Sequence, residues 1–219
     1  MTTPAHPIRV AVIAATGYGG IELLRWLTAH PAVEIVAASS ESSAGQPLTA
    51  VYPHLAGLDL TLQPAADARF HGDPQVVFFA TPNGTAMKLA PEVLARGGKV
   101  IDLSADFRLK DPAVYAQYYG MEHQATDWLA QAVYGLPELY RESLHGASLV
   151  ANPGCYPTSA LLALAPLLRA GLIEPRGIII DSKSGVSGAG RTALQTPYLY
   201  AEANEDVSAY KVGTHRHQP

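Results

Sequence analysis

An apolar strand that runs directly into a glycine turn and a helix constrains the fold of this chain most. Residues 8–13 (IRVAVI) are apolar and rich in β-branched side chains, which is typical of a strand buried on both faces of a parallel sheet. The turn AATGYGG follows at residues 14–20, and Ile21, Leu24 and Leu27 then have the spacing of one helical face. Because parallel strands need such crossovers, the segment predicts an α/β fold.

Strand-like and helix-like segments continue to alternate along the chain. We predict further strands at 33–38, 76–80, 99–103, 149–151 and 177–182, and helices at 21–28, 86–96 and 157–170. Residues 104–148 are rich in tyrosine and are interrupted by Pro112 and Pro137, so we expect loops and short helices there. The pattern predicts a parallel sheet with helices on both faces, and we place a domain boundary between residues 1–152 and 153–219.

Composition excludes several classes of protein. The 15 lysines and arginines do not cluster and are outnumbered by 19 acidic residues, which argues against a nucleic-acid partner. One cysteine permits no internal disulfide and suits a reducing compartment. The first residues do not resemble a signal peptide, and no apolar run reaches membrane-spanning length. We therefore expect a cytoplasmic protein that acts on a small molecule.

The first glycine turn has the chemistry of a dinucleotide site. Its pattern places Ala14, Gly17 and Gly20 three residues apart, with a strand before and a helix after. Glycines there permit a tight turn, and the exposed N–H groups of the helix start attract a pyrophosphate. The alternative is a turn with a structural role only. The candidate cofactor contacts are Thr16, Gly17, Tyr18, Gly19 and Gly20.

The end of the second predicted strand is expected to meet the ribose of such a cofactor. Ser39 and Ser40 are followed by Glu41. A carboxylate at this place suits the 2′-hydroxyl of NAD, whereas hydroxyls are compatible with the 2′-phosphate of NADP. The residues leave both cofactors open, together with the alternative of a polar surface loop.

The single cysteine lies where a nucleophile would be activated. In NPGCYPT, Cys155 begins a predicted helix, whose free N–H groups and dipole stabilise a thiolate. The thiolate is the nucleophilic form. The alternative is a small buried hydrophobic residue, which most lone cysteines are. The neighbouring Gly154 and Pro157 favour an exposed, fixed turn and hence the nucleophile.

Two residues could contact an anionic substrate. Arg108 follows a strand end, where ligands of parallel sheets bind, and could hold a phosphate or carboxylate, with Asn152 as a second candidate for substrate contact. Alternatively, Arg108 could pair with Asp106 or Asp111.

A second glycine-rich loop, SGVSGAGR, follows the strand predicted at 177–182. Ser187, Gly188 and Gly190 could let a nicotinamide ring approach the backbone, or they could form a flexible turn.

His215 and His217 share one face of an extended segment near the end of the sequence. Either could serve as acid or base to the cysteine, because the pKa of histidine is near neutrality. We expect no metal site, since no second cluster supplies further ligands. The remaining alternative is a solvated tail.

Taken together, the motifs resemble the N-acetyl-gamma-glutamyl-phosphate reductases, relatives of aspartate-semialdehyde dehydrogenase. The resemblance spans the chain through TGYGG (16–20), SADFRL (104–109), YGLPELYR (134–141), NPGCYPT (152–158), SGVSGAGR (184–191) and HRHQP (215–219). It implies a Rossmann-like domain followed by the start of an α+β catalytic domain, NADP as cofactor, and a homo-oligomer. It also implies Cys155 as nucleophile, His217 as acid/base with His215 as the alternative, and Arg108 at the substrate anion.

Three departures from that family bear on function. Ala14 stands where the family usually has glycine, Glu41 stands near a position where arginine is common, and the family continues well beyond HRHxP. We therefore expect a fragment that does not turn over alone. A non-catalytic dinucleotide-binding module and an aspartate-semialdehyde dehydrogenase stay open as alternatives, although Gly154 before the cysteine disfavours the latter.

Overall fold

The computed structural model describes residues 6–219, and its centre is one parallel sheet. The strands are β1 (Ile8–Ile13), β2 (Val33–Ala38), β3 (Val76–Phe79), β4 (Lys99–Asp102), β5 (Val133–Tyr134) and β6 (Leu149–Ala151). Every pairing is parallel, and the strand order is β2-β1-β3-β4-β6-β5. The predicted α/β fold is confirmed.

Helices connect the strands and continue after them. They are α1 (Tyr18–Thr28), α2 (Leu48–Val51), α3 (Ala65–Ala68), α4 (Ala86–Ala95), α5 (Pro112–Tyr119), α6 (Thr126–Leu129), α7 (Pro137–Leu144), α8 (Cys155–Arg169) and α9 (Tyr200–Ala203). Short 3₁₀ turns lie at Pro53–Leu55, Val186–Ala189 and Thr196–Tyr198. The loops and short helices expected between 104 and 148 are confirmed, and they include the unpredicted strand β5.

Alternating side chains of the strands fill two separate cores, one on each face of the sheet. On one face, Ile13 of β1 packs in a cluster with Met87 of α4 and Phe107. On the other face, Val12 packs in a cluster with Leu24 of α1. Both faces of the sheet are therefore covered by helices, as predicted, and the carboxyl ends of the strands meet at one open edge.

The strand predicted at residues 177–182 is wrong. The structure has no strand there, and Ile179 is 91% exposed. A strand needs a neighbour that accepts its backbone hydrogen bonds. Within residues 6–219, no strand pairs with this apolar run, so the β-branched pattern alone does not form one.

Two predicted helices begin earlier than expected, and both differences concern the candidate site. Helix α1 starts at Tyr18 and not at Ile21, and α8 starts at Cys155 and not at Pro157. In both cases glycine is the residue that precedes the first helical position, Gly17 for α1 and Gly154 for α8.

No helix among residues 6–219 is both long and apolar enough to cross a membrane.

The close contact between α1 and the turn after β1 leads to the first prediction. A Cβ atom on Gly20 would lie 2.4 Å from the carbonyl oxygen of Ala14 and 2.6 Å from the Cα of Ala15. Gly20→Ala should therefore destabilise the protein by about 3 kcal/mol, measured by urea unfolding. The control Gly57→Ala adds a Cβ with nothing within 4 Å and should leave the unfolding midpoint nearly unchanged; equal midpoints for the two variants would contradict the packing described.

Candidate active site at the carboxyl edge of the sheet

The start of α1 presents unused backbone donors at the carboxyl edge. The first hydrogen bond of the helix runs from the Ile21 N–H to the Gly17 carbonyl, at 2.9 Å, and no side chain caps the helix. The N–H groups of Tyr18, Gly19 and Gly20 therefore have no partner within the helix. Three free donors at the positive end of a helix dipole suit a pyrophosphate.

Ala14 adopts a conformation that favours glycine. Its φ is 61°, in the left-handed region, where a Cβ atom costs roughly 1–2 kcal/mol. Ser39 stabilises this turn, because its Oγ accepts a hydrogen bond from the Ala14 N–H at 2.8 Å and its carbonyl accepts one from the Ala15 N–H at 2.8 Å. Ser39 is buried and holds the turn against the end of β2. The turn thus keeps its shape in spite of the alanine.

Hydroxyl groups, and not a free carboxylate, line the end of β2. The Thr16 Oγ1 donates to the Ser40 Oγ at 2.9 Å, and the Ser42 Oγ lies 3.4 Å from the same atom. The Glu41 carboxylate instead accepts a hydrogen bond from the Ala65 N–H, at 2.9 Å, at the start of α3. Glu41 therefore stabilises the start of α3, and one of its carboxylate oxygens already accepts a hydrogen bond there.

Arg191 connects the second glycine loop to the first glycine turn. Ser187 and Gly188 are in the 3₁₀ turn Val186–Ala189, and Gly190 follows it with a φ of 93°. The Nη1 of Arg191 then donates to the Thr16 carbonyl at 2.8 Å. The residue that follows the second glycine loop thus contacts the first glycine turn from far away in sequence.

A buried hydroxyl without a hydrogen-bond partner supports a ligand site at the carboxyl edge of the sheet. The Oγ1 of Thr81, just after β3, is buried without a hydrogen-bond partner among the described residues. A Cβ atom on Gly19 would only reach van der Waals distance of Ala80, at 3.9 Å, and of Leu103, at 4.0 Å. Free donors and a buried hydroxyl at one sheet edge fit a dinucleotide.

The cysteine occupies the first position of α8 and is exposed. Gly154 precedes it as the N-cap residue, with φ −69° and ψ 157°, and no side chain caps the helix. The positive end of the dipole therefore points at the region of the sulfur, where a thiolate is stabilised. The alternative of a buried hydrophobic cysteine is wrong.

The ring of His217 packs directly on Gly154. A Cβ atom on Gly154 would lie 2.7 Å from the His217 Nε2 and 2.9 Å from its Cε1. His215 lies beside it: its Nδ1 accepts a hydrogen bond from the His217 N–H at 3.1 Å, and the two ring centroids are 4.9 Å apart. His217 is half-buried, so the alternative of a solvated tail is wrong for this residue.

Burial keeps the His217 ring uncharged. Desolvation, assisted by the charges of His215, Arg108 and Arg216, lowers the pKa of His217 to about 4. The pKa of His215 is lowered too, first by desolvation and then by Arg216 and Lys211. Near neutral pH the His217 imidazole is therefore a proton acceptor, next to the residue that precedes the cysteine.

Arg108 links β4 to the end of β6 through backbone carbonyls. Its Nε donates to the Asn152 carbonyl and its Nη2 to the Leu103 carbonyl, both at 2.6 Å. The alternative pairing is wrong: Asp106 accepts from backbone N–H groups at the start of α4, and Asp111 caps α5. Arg108 is left as a half-buried cation whose charge reaches His217.

Across the described residues, no group of three or more histidine, cysteine, aspartate or glutamate side chains is placed to hold a metal ion.

The sequence matches two known domain families. Residues 9–147 match the family described as the NAD binding domain of semialdehyde dehydrogenase, and residues 155–219 match its dimerisation domain. The first match alone covers more than half of the chain. The chain belongs to the semialdehyde dehydrogenase family.

Two curated relatives of this chain carry the same name. The N-acetyl-gamma-glutamyl-phosphate reductases of Symbiobacterium thermophilum and Magnetococcus marinus are 54% and 53% identical to it over 97% of its length. The chain spans 61% of the length of each of these relatives.

Solved structures show the same fold at lower identity. Aspartate semialdehyde dehydrogenase II of Vibrio cholerae superposes with a TM-score of 0.55 at 20% identity, over 75% of this chain and 47% of that one. The Candida albicans enzyme with NADP gives a TM-score of 0.53 at 19% identity, over the same shares. At this identity the similarity concerns the fold alone.

Two features of the candidate site were not found by sequence analysis. Tyr210 lies beside the cysteine helix, with its hydroxyl 2.7 Å from that of Tyr156 and 3.3 Å from the His215 Nε2. Asp102, the last residue of β4, is fully buried and bonded to Ser104, and desolvation raises its pKa to about 7. The motif SADFR begins only at Ser104, and a tyrosine in a loop carries no distinctive pattern, so neither was identifiable.

The packing of His217 on Gly154 leads to the second prediction. Gly154→Ala should displace the His217 ring into water, because the new Cβ would overlap it. We expect the pKa of His217, followed by NMR, to rise from about 4 towards the ordinary value near 6.5. The same titration of Gly57→Ala should match the unmodified protein; an unchanged His217 pKa in Gly154→Ala would contradict the contact.

Proposed function

We propose that the complete protein reduces N-acetyl-L-glutamyl 5-phosphate to N-acetyl-L-glutamate 5-semialdehyde with NADPH, reversibly, as a step of arginine biosynthesis. The observation that carries the proposal is the exposed Cys155 at the start of α8, with the uncharged His217 packed on the residue before it. Both lie at the edge of the sheet that carries the glycine turn. The names of the relatives from Symbiobacterium and Magnetococcus support the substrate.

The first half of the reaction would form a thioester. His217 accepts the thiol proton of Cys155, and the sulfur forms a bond to the acyl carbon of the substrate. The bond from that carbon to the phosphate oxygen breaks, and phosphate leaves with the electron pair and takes a proton from solvent. His217 is unprotonated near neutral pH and has a nitrogen lone pair for this proton; because its pKa is lowered to about 4, the imidazolium that forms is a strong acid that readily returns the proton.

The second half would release the aldehyde. A bound nicotinamide cofactor supplies a hydride equivalent to the thioester carbon. The carbon–sulfur bond then breaks, the carbonyl re-forms as an aldehyde, and the His217 imidazolium returns its proton to the Cys155 sulfur. His215 supports this exchange by fixing the His217 backbone through its Nδ1.

We infer that Arg108 and Asn152 contact the anionic substrate. Arg108 is half-buried beside the site and already fixed by two carbonyl acceptors, so its orientation is set before a ligand arrives. A fixed guanidinium binds phosphate or carboxylate with little loss of side-chain entropy. Asn152 lies between the strand β6 and the cysteine turn.

We infer that NADP is the preferred dinucleotide. Glu41 is the residue that would hold the free 2′-hydroxyl of NAD, and its carboxylate is engaged with the start of α3. The proposed contacts to the cofactor lie around the two glycine loops and the end of β2. They are Thr16, Gly17, Tyr18, Gly19, Gly20, Ser39, Ser40, Ser187, Gly188 and Gly190.

We also propose a cytoplasmic homo-oligomer with its domain boundary between residues 152 and 153. The match of residues 155–219 to a dimerisation domain supports an oligomer. The two family matches end and begin at residues 147 and 155, on either side of that boundary. The single exposed thiol is compatible with a reducing compartment.

A non-catalytic dinucleotide-binding protein is the second candidate, and the conformation of Ala14 favours it. A left-handed alanine in the glycine turn, with a φ of 61°, carries a backbone cost that glycine would avoid, at the turn where the pyrophosphate would bind. This candidate predicts dinucleotide binding with an unreactive Cys155.

The activity assay separates these functions. The complete protein should reduce NADP⁺ with N-acetylglutamate semialdehyde in a phosphate-dependent reaction, at least about 100-fold faster than with aspartate semialdehyde. Cys155→Ser should lose the reaction, and the control Ser159→Ala, one helical turn further on, should keep it. Dinucleotide binding without turnover, together with slow alkylation of Cys155, would establish the non-catalytic protein; preference for aspartate semialdehyde would contradict the substrate.

A further inference from the structure

The end of β2 lacks a cation of its own. Residues 39–46 (SSESSAGQ) contain no lysine or arginine. Their hydroxyl groups can accept or donate hydrogen bonds to a phosphate, but they bring no positive charge. If a 2′-phosphate binds there, as the proposed use of NADP requires, its charge must be met by a residue from elsewhere in the chain.

Arg191 reaches this place from the second glycine loop. Its Nη1 donates to the Thr16 carbonyl at 2.8 Å and to the Tyr52 hydroxyl at 3.0 Å. Its guanidinium carbon lies 5.2 Å from the centre of the Tyr52 ring. Among the lysines and arginines at residues 6–219, Arg191 is the one that donates a hydrogen bond to the first glycine turn.

Hydrogen bonds connect Arg191 to the hydroxyls at the end of β2. The Tyr52 hydroxyl also donates to the Thr16 carbonyl, at 2.8 Å, and the Thr16 Oγ1 donates to the Ser40 Oγ, at 2.9 Å. Tyr52 belongs to the segment between β2 and β3, and it contacts both the Arg191 guanidinium and the Thr16 carbonyl. The pyrophosphate donors at the start of α1 form a separate group.

The guanidinium keeps donors available for a ligand. Both recorded side-chain hydrogen bonds of Arg191 use Nη1, and within the described part of the chain its Nε and Nη2 make none. Arg191 is exposed. An arginine that is oriented by a carbonyl and an aromatic ring, with two nitrogens free, can bind a phosphate in bidentate geometry.

We propose that Arg191 is the specificity-determining residue that selects NADP over NAD, by pairing with the 2′-phosphate beside Ser40 and Ser42. This inference rests on the proposed function, because it needs a dinucleotide in the glycine turn. It adds to the proposed function a cofactor contact by Arg191, whose side chain extends from the second glycine loop to the first glycine turn.

Binding measurements on the complete protein test this assignment. The affinities for NADP⁺ and NAD⁺ are measured by calorimetry for the unmodified protein, Arg191→Ala and Arg191→Lys. Arg191→Ala should weaken NADP⁺ binding by about ten-fold or more and NAD⁺ binding by less than about two-fold. Arg191→Lys should retain part of the preference, since it keeps the charge but loses the planar fork. Higher salt should reduce the NADP⁺ preference of the unmodified protein.

A matched control removes an equal charge elsewhere. Arg176 is 87% exposed and lies near Glu174, away from the turn. Arg176→Ala should leave both affinities unchanged. Thermal unfolding of each variant shows whether the fold is retained.

The outcomes distinguish this inference from the function on which it rests. An unmodified protein that binds neither dinucleotide would contradict both. An NADP⁺ preference that survives in Arg191→Ala, an equal loss of both affinities, or an unmodified protein without preference would each overturn the role of Arg191 and leave dinucleotide binding standing.

Discussion

The close approach of α1 to the turn after β1 is the contact on which the candidate site depends. Gly20 allows the helix backbone to lie against the carbonyl of Ala14, where any side chain would overlap. This contact directs the free N–H groups of the helix start to the carboxyl edge of the sheet. The parallel pairing of β1, β3, β4 and β6 then brings the segments that follow those strands to the same edge.

A second close approach organises the reactive groups. Gly154 allows the His217 ring to lie on the backbone just before Cys155, and burial of that ring keeps it uncharged. Glycine is thus needed before the cysteine not only for the turn but also because a side chain there would overlap the His217 ring. A thiol at a helix start, a neutral imidazole and a half-buried arginine lie near one another here, and this set suits acyl transfer to sulfur.

Local patterns predicted the sheet well, because apolar β-branched runs such as 8–13 and 149–151 are buried on both faces. The strand predicted from the same pattern at 177–182 was wrong, because a strand also needs a neighbouring strand to pair with, and local sequence does not reveal one. The positions of Cys155 and His217 were identifiable from motifs. The engagement of Glu41 with Ala65 and the reach of Arg191 to Thr16 were not, because tertiary folding alone brings these residues together.

The most direct test of the account is to trap the thioester. The complete protein is mixed with freshly prepared N-acetylglutamyl 5-phosphate without NADPH, and its mass and peptides are analysed. We predict one N-acetylglutamyl group on the peptide that contains Cys155, absent from Cys155→Ser and released as the aldehyde when NADPH is added. Steady turnover without such an adduct, or turnover by Cys155→Ser, would contradict the covalent mechanism.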